Sequence, residues 1–247
     1  MIAVAAWCFV VALVGTSVGL ILGSIRLPIL LLVSSSPAAG AAANVGVSAV
    51  AAATAAATHV RRGTVNWRLV AWMTPPSIVG ALIGGYASGL LPSDVLLVII
   101  GAVLVYFGIR TLFQSRQGVT TPRTEGVRVR PAVAWGLVIG LLGGLVGLIL
   151  STLRLPALIR HIGESPHRAV ATNLVVGFWL GIAAVIGHLP GGVDWGLMLI
   201  GSAASIPGAV LGSRITGRLS ERQLLNAIGV VLVIVGTATA VRGAVWT

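Results

Sequence analysis

Gly15-Thr-Ser-Val-Gly-Leu-Ile-Leu-Gly-Ser-Ile-Arg-Leu-Pro-Ile-Leu30 returns as Gly143-Gly-Leu-Val-Gly-Leu-Ile-Leu-Ser-Thr-Leu-Arg-Leu-Pro-Ala-Leu158, with ten of the sixteen positions identical. Each copy places Arg-Leu-Pro inside an apolar run. The repeat extends outward from there. Asn44 matches Asn173 and His59 matches His188, each 129 residues on. Val65-Asn66-Trp67 matches Val193-Asp194-Trp195, and Ser77-Ile78 matches Ser205-Ile206. Duplicated hydrophobic halves with corresponding interrupted segments mark secondary transporters, whose substrate sites lie between the halves.

Hydrophobic residues make up 57% of the 247 and charged residues 9%, with a mean hydropathy of +1.04. A soluble domain carries roughly 25% charged residues, so the composition specifies an integral membrane protein. The runs are helical in length and rich in small apolar residues, without the alternation over about ten residues that builds a membrane barrel. The net charge of +11 comes from sixteen Arg, no Lys and five acids. These Arg fall between hydrophobic runs, as the positive-inside bias requires, which argues against nucleic-acid binding. The lone Cys8 excludes an intrachain disulfide. Met1 to Leu22 has no basic leader region and reads as a retained helix rather than a signal peptide.

The pattern predicts an all-α polytopic protein of two homologous halves. Eight long helices are expected over about 1–22, 38–58, 69–90, 94–113, 132–152, 167–187, 196–217 and 222–242. Short apolar pieces, Leu27–Ser36 and Leu155–Gly163, separate the first two long helices of each half and reach only half of a ~30 Å hydrocarbon core. The first repeat is 1–113, the linker 114–131 and the second repeat 132–247. The linker carries Arg116, Arg123, Arg128 and Arg130 and is expected on the cytoplasmic side. If the short pieces carry the chain across, the halves are inverted and Arg divides fourteen inside (Arg160 and Arg168 included) to two outside, Arg154 and Arg242. Eight crossings alone give nine to seven, so charge favours inversion.

Arg26 and Arg154 occupy the same repeat position and are the leading substrate-binding candidates. A guanidinium fork suits planar or tetrahedral oxyanions. The alternative for both is an interfacial anchor that snorkels to head groups. Asn44 and Asn173 each lie seven residues past a Pro-started helix N-terminus, which favours anions, and are candidates to line the same cavity, as are Ser34, Ser35, Ser36 and Thr172; the alternative is interhelical hydrogen bonding. His59 and His188 end corresponding helices and are candidates for proton coupling or plain interfacial groups. Glu164 is expected in a surface pair with neighbouring Arg or as a gate, and Trp67, Trp72, Trp135, Trp195 and Trp246 in an aromatic belt. The long helices carry no acidic relay. No nucleotide-binding loop, metal motif or nucleophile–base pair occurs, so no cofactor, metal or enzymatic activity is expected.

Gly19…Pro28-Ile-Leu30 and Gly147…Pro156-Ala-Leu158 resemble the Gly-x-Gly-Gly-Gly-x4-Pro-x-Leu signature of the TauE/SafE sulfite exporter family. Ser165-Pro-His-Arg-Ala-Val-Ala-Thr172-Asn173, His59-Val-Arg-Arg-Gly-Thr-Val-Asn-Trp67 and His188-Leu-Pro-Gly-Gly-Val-Asp-Trp195 resemble its further segments. The resemblance implies a multi-pass plasma-membrane transporter exporting small sulfur-containing anions, sulfite or organosulfonates, coupled to the proton gradient in some members. One departure stands out. Ile21-Leu22-Gly23 and Ile149-Leu150-Ser151 replace the glycine triplet, and an Arg is added beside the Pro. Either the substrate differs or the Arg pair has taken over recognition. The partners expected are therefore a small anion and lipid, with an uncoupled anion channel or a non-transporting membrane partner as the alternatives.

Overall fold

In a computed structural model, residues 1–86, 93–117, 129–146, 150–189 and 192–245 are described. They are helical, with no strand among them. The helices are α1 (Ile2–Ser17), α2 (Gly23–Val33), α3 (Pro37–Arg61), α4 (Trp67–Tyr86), α5 (Ser93–Gln117), α6 (Val129–Val146), α7 (Ser151–Ala157), α8 (Pro166–His188), α9 (Trp195–Thr216) and α10 (Glu221–Val245). A π-helical turn, Leu158–Ile162, prolongs α7. Arg123, Glu125 and Arg128 of the linker, the end of the helix expected over 69–90, Gly147 and Trp246 lie outside the described residues.

The break in each half comes earlier than Arg-Leu-Pro. The helix expected over 1–22 stops at Ser17, because Gly19 takes φ +72° and turns the chain out. Leu20 N–H then reaches back to Gly15 O (2.8 Å) and Gly19 N–H to Thr16 O (3.3 Å), the paired bonds of a Schellman end. The short pieces expected at Leu27–Ser36 and Leu155–Gly163 begin instead at Gly23 and Ser151. Arg26 and Arg154 therefore lie inside helices, not at the breaks. Pro28 and Pro156 are internal to these helices and deny an N–H to the carbonyls of Ser24 and Thr152. The restarts match expectation: Ser36 Oγ accepts from Ala39 N–H (3.2 Å) with Pro37 behind it, and Pro166 opens α8.

Helix packing follows the repeat. α1 packs on α9, and its counterpart α6 packs on α4, the counterpart of α9. α3 packs on its own counterpart α8, and α5 on α10. α3 and α8 form the middle, with 78% and 61% of their apolar windows buried against 44% in α9 and α10. Ala42, Ala43, Ala52 and Ala55 let α3 sit that deep. The small-residue stripes lie at the crossings. Gly208 faces Phe9 O and Gly212 faces Leu13 O, while Gly80 faces Leu137 O and Gly140 faces Ser77 O. Thr216 Oγ1 also donates to Thr16 O (3.0 Å), tying α9 to α1.

Among the described residues four helices are long and apolar enough to cross a membrane: Ala39–Arg61, Pro166–His188, Trp195–Thr216 and Glu221–Val241. Leu82, Leu199, Ile206 and Ile234 project outward, a face suited to lipid. Trp67 and Trp195, equivalent in the repeat, are exposed at the starts of α4 and α9 as an aromatic belt requires. The Trp135 ring lies 4.6 Å from that of His161. Gly140→Val is expected to cost about 3 kcal/mol by forcing α6 off α4. Gly187→Val, where a Cβ meets nothing within 4 Å, serves as the control. Thermal unfolding of the two purified variants checks it, and equal midpoints would refute the close crossing.

Candidate functional site

Arg26 and Arg154 each sit one turn into a short helix, so their side chains lean back over the helix start. There each meets the asparagine of the following long helix. Asn44 Oδ1 accepts from Arg26 Nε (3.0 Å), and its Nδ2 donates to Gly23 O (3.1 Å). Asn173 Oδ1 accepts from Arg154 Nη1 (3.2 Å), and its Nδ2 donates to Ser151 O (3.1 Å). The same Arg–Asn–helix-start clamp is thus built twice. Arg26 Nη2 adds Asn44 O (3.0 Å) and Ser48 Oγ (2.5 Å).

The two clamps interlock. Asn173 Nδ2 also donates to Gly19 O (2.7 Å), in the unwound stretch of the other half. Ile21 N–H in that stretch donates to Ser151 Oγ (2.7 Å). Neither α2 nor α7 has a side-chain cap. The N–H groups of Gly23, Ser24, Ser151 and Thr152 find no acceptor among the described residues. Between them lies a cavity of about 20 Å³, lined by Gly23, Ser24, Asn44 and Ser48 on one side and Leu150 and Thr152 on the other. It has room for at least one water.

Arg26 is 2% and Arg154 1% exposed, which overturns the head-group anchor alternative. Taking an ionised guanidinium from water costs several kcal/mol unless a counter-charge offsets it. Among the described residues the only ion pair is Arg168 with Glu164 (2.7 Å), remote from this centre in its bonding. The structure therefore sets the uncapped starts of α2 and α7 on a small cavity and buries one arginine in the clamp behind each start; neither arginine lines the cavity, and no carboxylate is bonded to either.

Other candidates fall elsewhere. Ser36 caps α3 and does not line the cavity. Thr172, although next to Asn173, turns away and accepts from Asn66 N–H through Oγ1 (3.1 Å). His59 is buried, with Nδ1 3.4 Å from Thr64 Oγ1 and Nε2 lacking a partner. His188 is part-buried and its Nδ1 lies 2.8 Å from Ala184 O. Both histidines are a helical path of about 22 Å from the clamp asparagines on the same helices. They share a repeat position but not an environment.

Sequence reasoning passed over Ser24, Ser48, Ser151 and Thr152. The signal was present, since Ser24 aligns with Thr152 in the repeat and Ser48 stands one turn beyond Asn44. It also passed over a matched pair of ties between halves. Asn66 caps α4 and donates through Nδ2 to Glu164 Oε2 (2.6 Å). Its repeat equivalent Asp194 caps α9 and accepts from Ser35 N–H (3.4 Å), and Asp194 N–H donates to Ala39 O (3.3 Å). Glu164 and Ser35 are themselves repeat equivalents.

A probable membrane transporter protein, YunE of Bacillus subtilis (strain 168), is 24% identical to this chain over 185 residues. That match spans 66% of this chain and 66% of the relative, just under two thirds of the relative's length. No solved structure matches the chain. The sulfite exporter TauE/SafE family matches residues 4–239, nearly the whole sequence, with its apolar helices and its doubled clamp. The chain belongs to that family.

Proposed function

We propose that this chain is a secondary transporter exporting small sulfur-containing oxyanions by alternating access. Its two halves, residues 1–113 and 132–247, act as inverted repeats joined by the basic linker 114–131. In this arrangement the long helices cross the membrane, and α2 and α7 meet halfway with their N-termini facing. The observation that carries it is the pair of buried guanidinium groups, on Arg26 and Arg154, with no carboxylate bonded to either. Helix N-termini and guanidinium forks both favour an anion, and here two helix starts line one cavity with a buried arginine one turn behind each. The small volume favours a compact ion such as sulfite over an extended organosulfonate.

The near-complete burial of both arginines supports a gated cycle rather than a standing pore, because exchange with either side requires the protein to open. The paired ties at Asn66–Glu164 and Asp194–Ser35 supply equivalent contacts that open in turn. His59, buried with an unpartnered Nε2, is the better placed of the two histidines for coupling to protons. Sulfite efflux from proteoliposomes under an imposed proton gradient tests this. Acceleration by the gradient is expected. Flux indifferent to it favours a channel, and absence of flux for sulfite, sulfate and sulfonates alike overturns transport of oxyanions.

A further inference from the structure

We infer that the two clamps are unequal, and that the Nε–Nη2 edge of Arg154 alone receives the oxyanion while Arg26 is a positioning residue. This rests on the transporter site described above and specifies how that site holds its substrate. A guanidinium offers an oxyanion its best grip along the side edge formed by Nε–H and Nη2–H, where two parallel bonds reach two oxygens. In Arg26 that edge is already filled. Nε bonds Asn44 Oδ1, and Nη2 bonds Asn44 O and Ser48 Oγ. In Arg154 only Nη1 is engaged, by Asn173 Oδ1. Its Nε is buried without a partner, and Nη2 has none among the described residues.

One residue at the clamp differs between the halves, and the asparagine shared by the repeat is also met differently, through Nε in Arg26 and Nη1 in Arg154. The repeat equivalent of Ser48 is Gly177, which has no hydroxyl to offer. A Cβ there would lie 3.8 Å from Arg154 Nη1 and against the end of the Ile21 side chain. The glycine thus offers Arg154 no hydroxyl where the serine offers one to Arg26, and the end of Ile21 takes up the space beside it. A buried, charged donor edge without an acceptor is costly to maintain in an empty protein. An oxyanion with two oxygens on Nε and Nη2 satisfies it, and the uncapped start of α7 one turn away lies within the same reach.

The test is isothermal titration of the purified full chain with sulfite, comparing Arg154→Lys with Arg26→Lys. Lysine keeps the charge and loses the fork. Arg154→Lys is expected to bind at least tenfold more weakly, and Arg26→Lys to lose less than Arg154→Lys. Arg154→Lys with wild-type affinity overturns the assignment, as does an equal loss in folded Arg26→Lys. Should a lysine variant fail to fold, Gly177→Ser keeps both guanidinium groups and places a hydroxyl beside the Arg154 guanidinium. It is expected to weaken sulfite binding, and an unchanged affinity overturns the assignment. If the wild-type chain binds neither sulfite nor sulfate nor methanesulfonate, the transporter site falls first and the inference with it.

Discussion

Arg154→Ala is expected to weaken sulfite binding by about 100- to 1,000-fold while leaving the protein folded. The guanidinium is 1% exposed and makes a single hydrogen bond to the protein, to Asn173 Oδ1. Little native structure is therefore lost with it, and an uncompensated buried charge is removed at the same time. The bound anion, in contrast, loses its charged partner in a place water does not reach. Breaking a buried pair in this way costs about 3–5 kcal/mol, which is about two to three and a half decades of affinity. Arg168→Ala is the control. Arg168 itself is half-exposed and bonds none of the clamp residues, so the change there stays within a few-fold. Titration calorimetry on the two variants separates a specific site from general loss of positive charge. Equal affinities for both variants would refute a central arginine site.

Asn173→Leu is expected to lower stability by about 3 kcal/mol or more, the largest effect of any single side chain in the middle of the protein. Asn173 is wholly buried and serves three partners: Gly19 O, Ser151 O and Arg154 Nη1. Leucine keeps the volume and strands two carbonyls and a cation, each orphan costing about 1–3 kcal/mol. Because Gly19 belongs to the other half, the same substitution cuts a bond that holds the halves together. Asn44→Leu removes the matching clamp, yet the bonds of Asn44 stay within its own half. The two variants should therefore differ, with Asn173→Leu unfolding at the lower temperature. Thermal unfolding in detergent followed by tryptophan fluorescence measures both. A wild-type midpoint for Asn173→Leu would mean that the clamp does not hold the fold.

The sequence by itself determined the class, the duplication and the identity of the clamp. Hydropathy over helix-length runs needs only local composition, and Gly15–Leu30 against Gly143–Leu158 needs only comparison of the chain with itself. The pairs Arg26 with Arg154 and Asn44 with Asn173 came from that comparison. Local chemistry also located the restarts at Ser36-Pro37 and Ser165-Pro166, because capping and the fixed φ of proline act within a few residues. The break itself was misplaced toward Arg-Leu-Pro. Proline a turn and a half inside a short helix is tolerated there, and Gly19 at φ +72° is what ends α1.

Only the tertiary structure decided which polar side chains share a cavity. Ser36 and Thr172 stand beside clamp elements in sequence, yet one caps a helix and the other accepts from Asn66. Adjacent helical residues point about 100° apart, so proximity along the chain says little about a common face. Burial likewise separated Arg26 and Arg154 from lipid anchors, since snorkelling and burial are identical in composition and differ only in what surrounds the side chain. The unequal partners of the two arginines, Ser48 against Gly177, were visible as letters. They acquired meaning once packing brought position 48 to Arg26, because a hydrogen bond depends on atoms meeting in space.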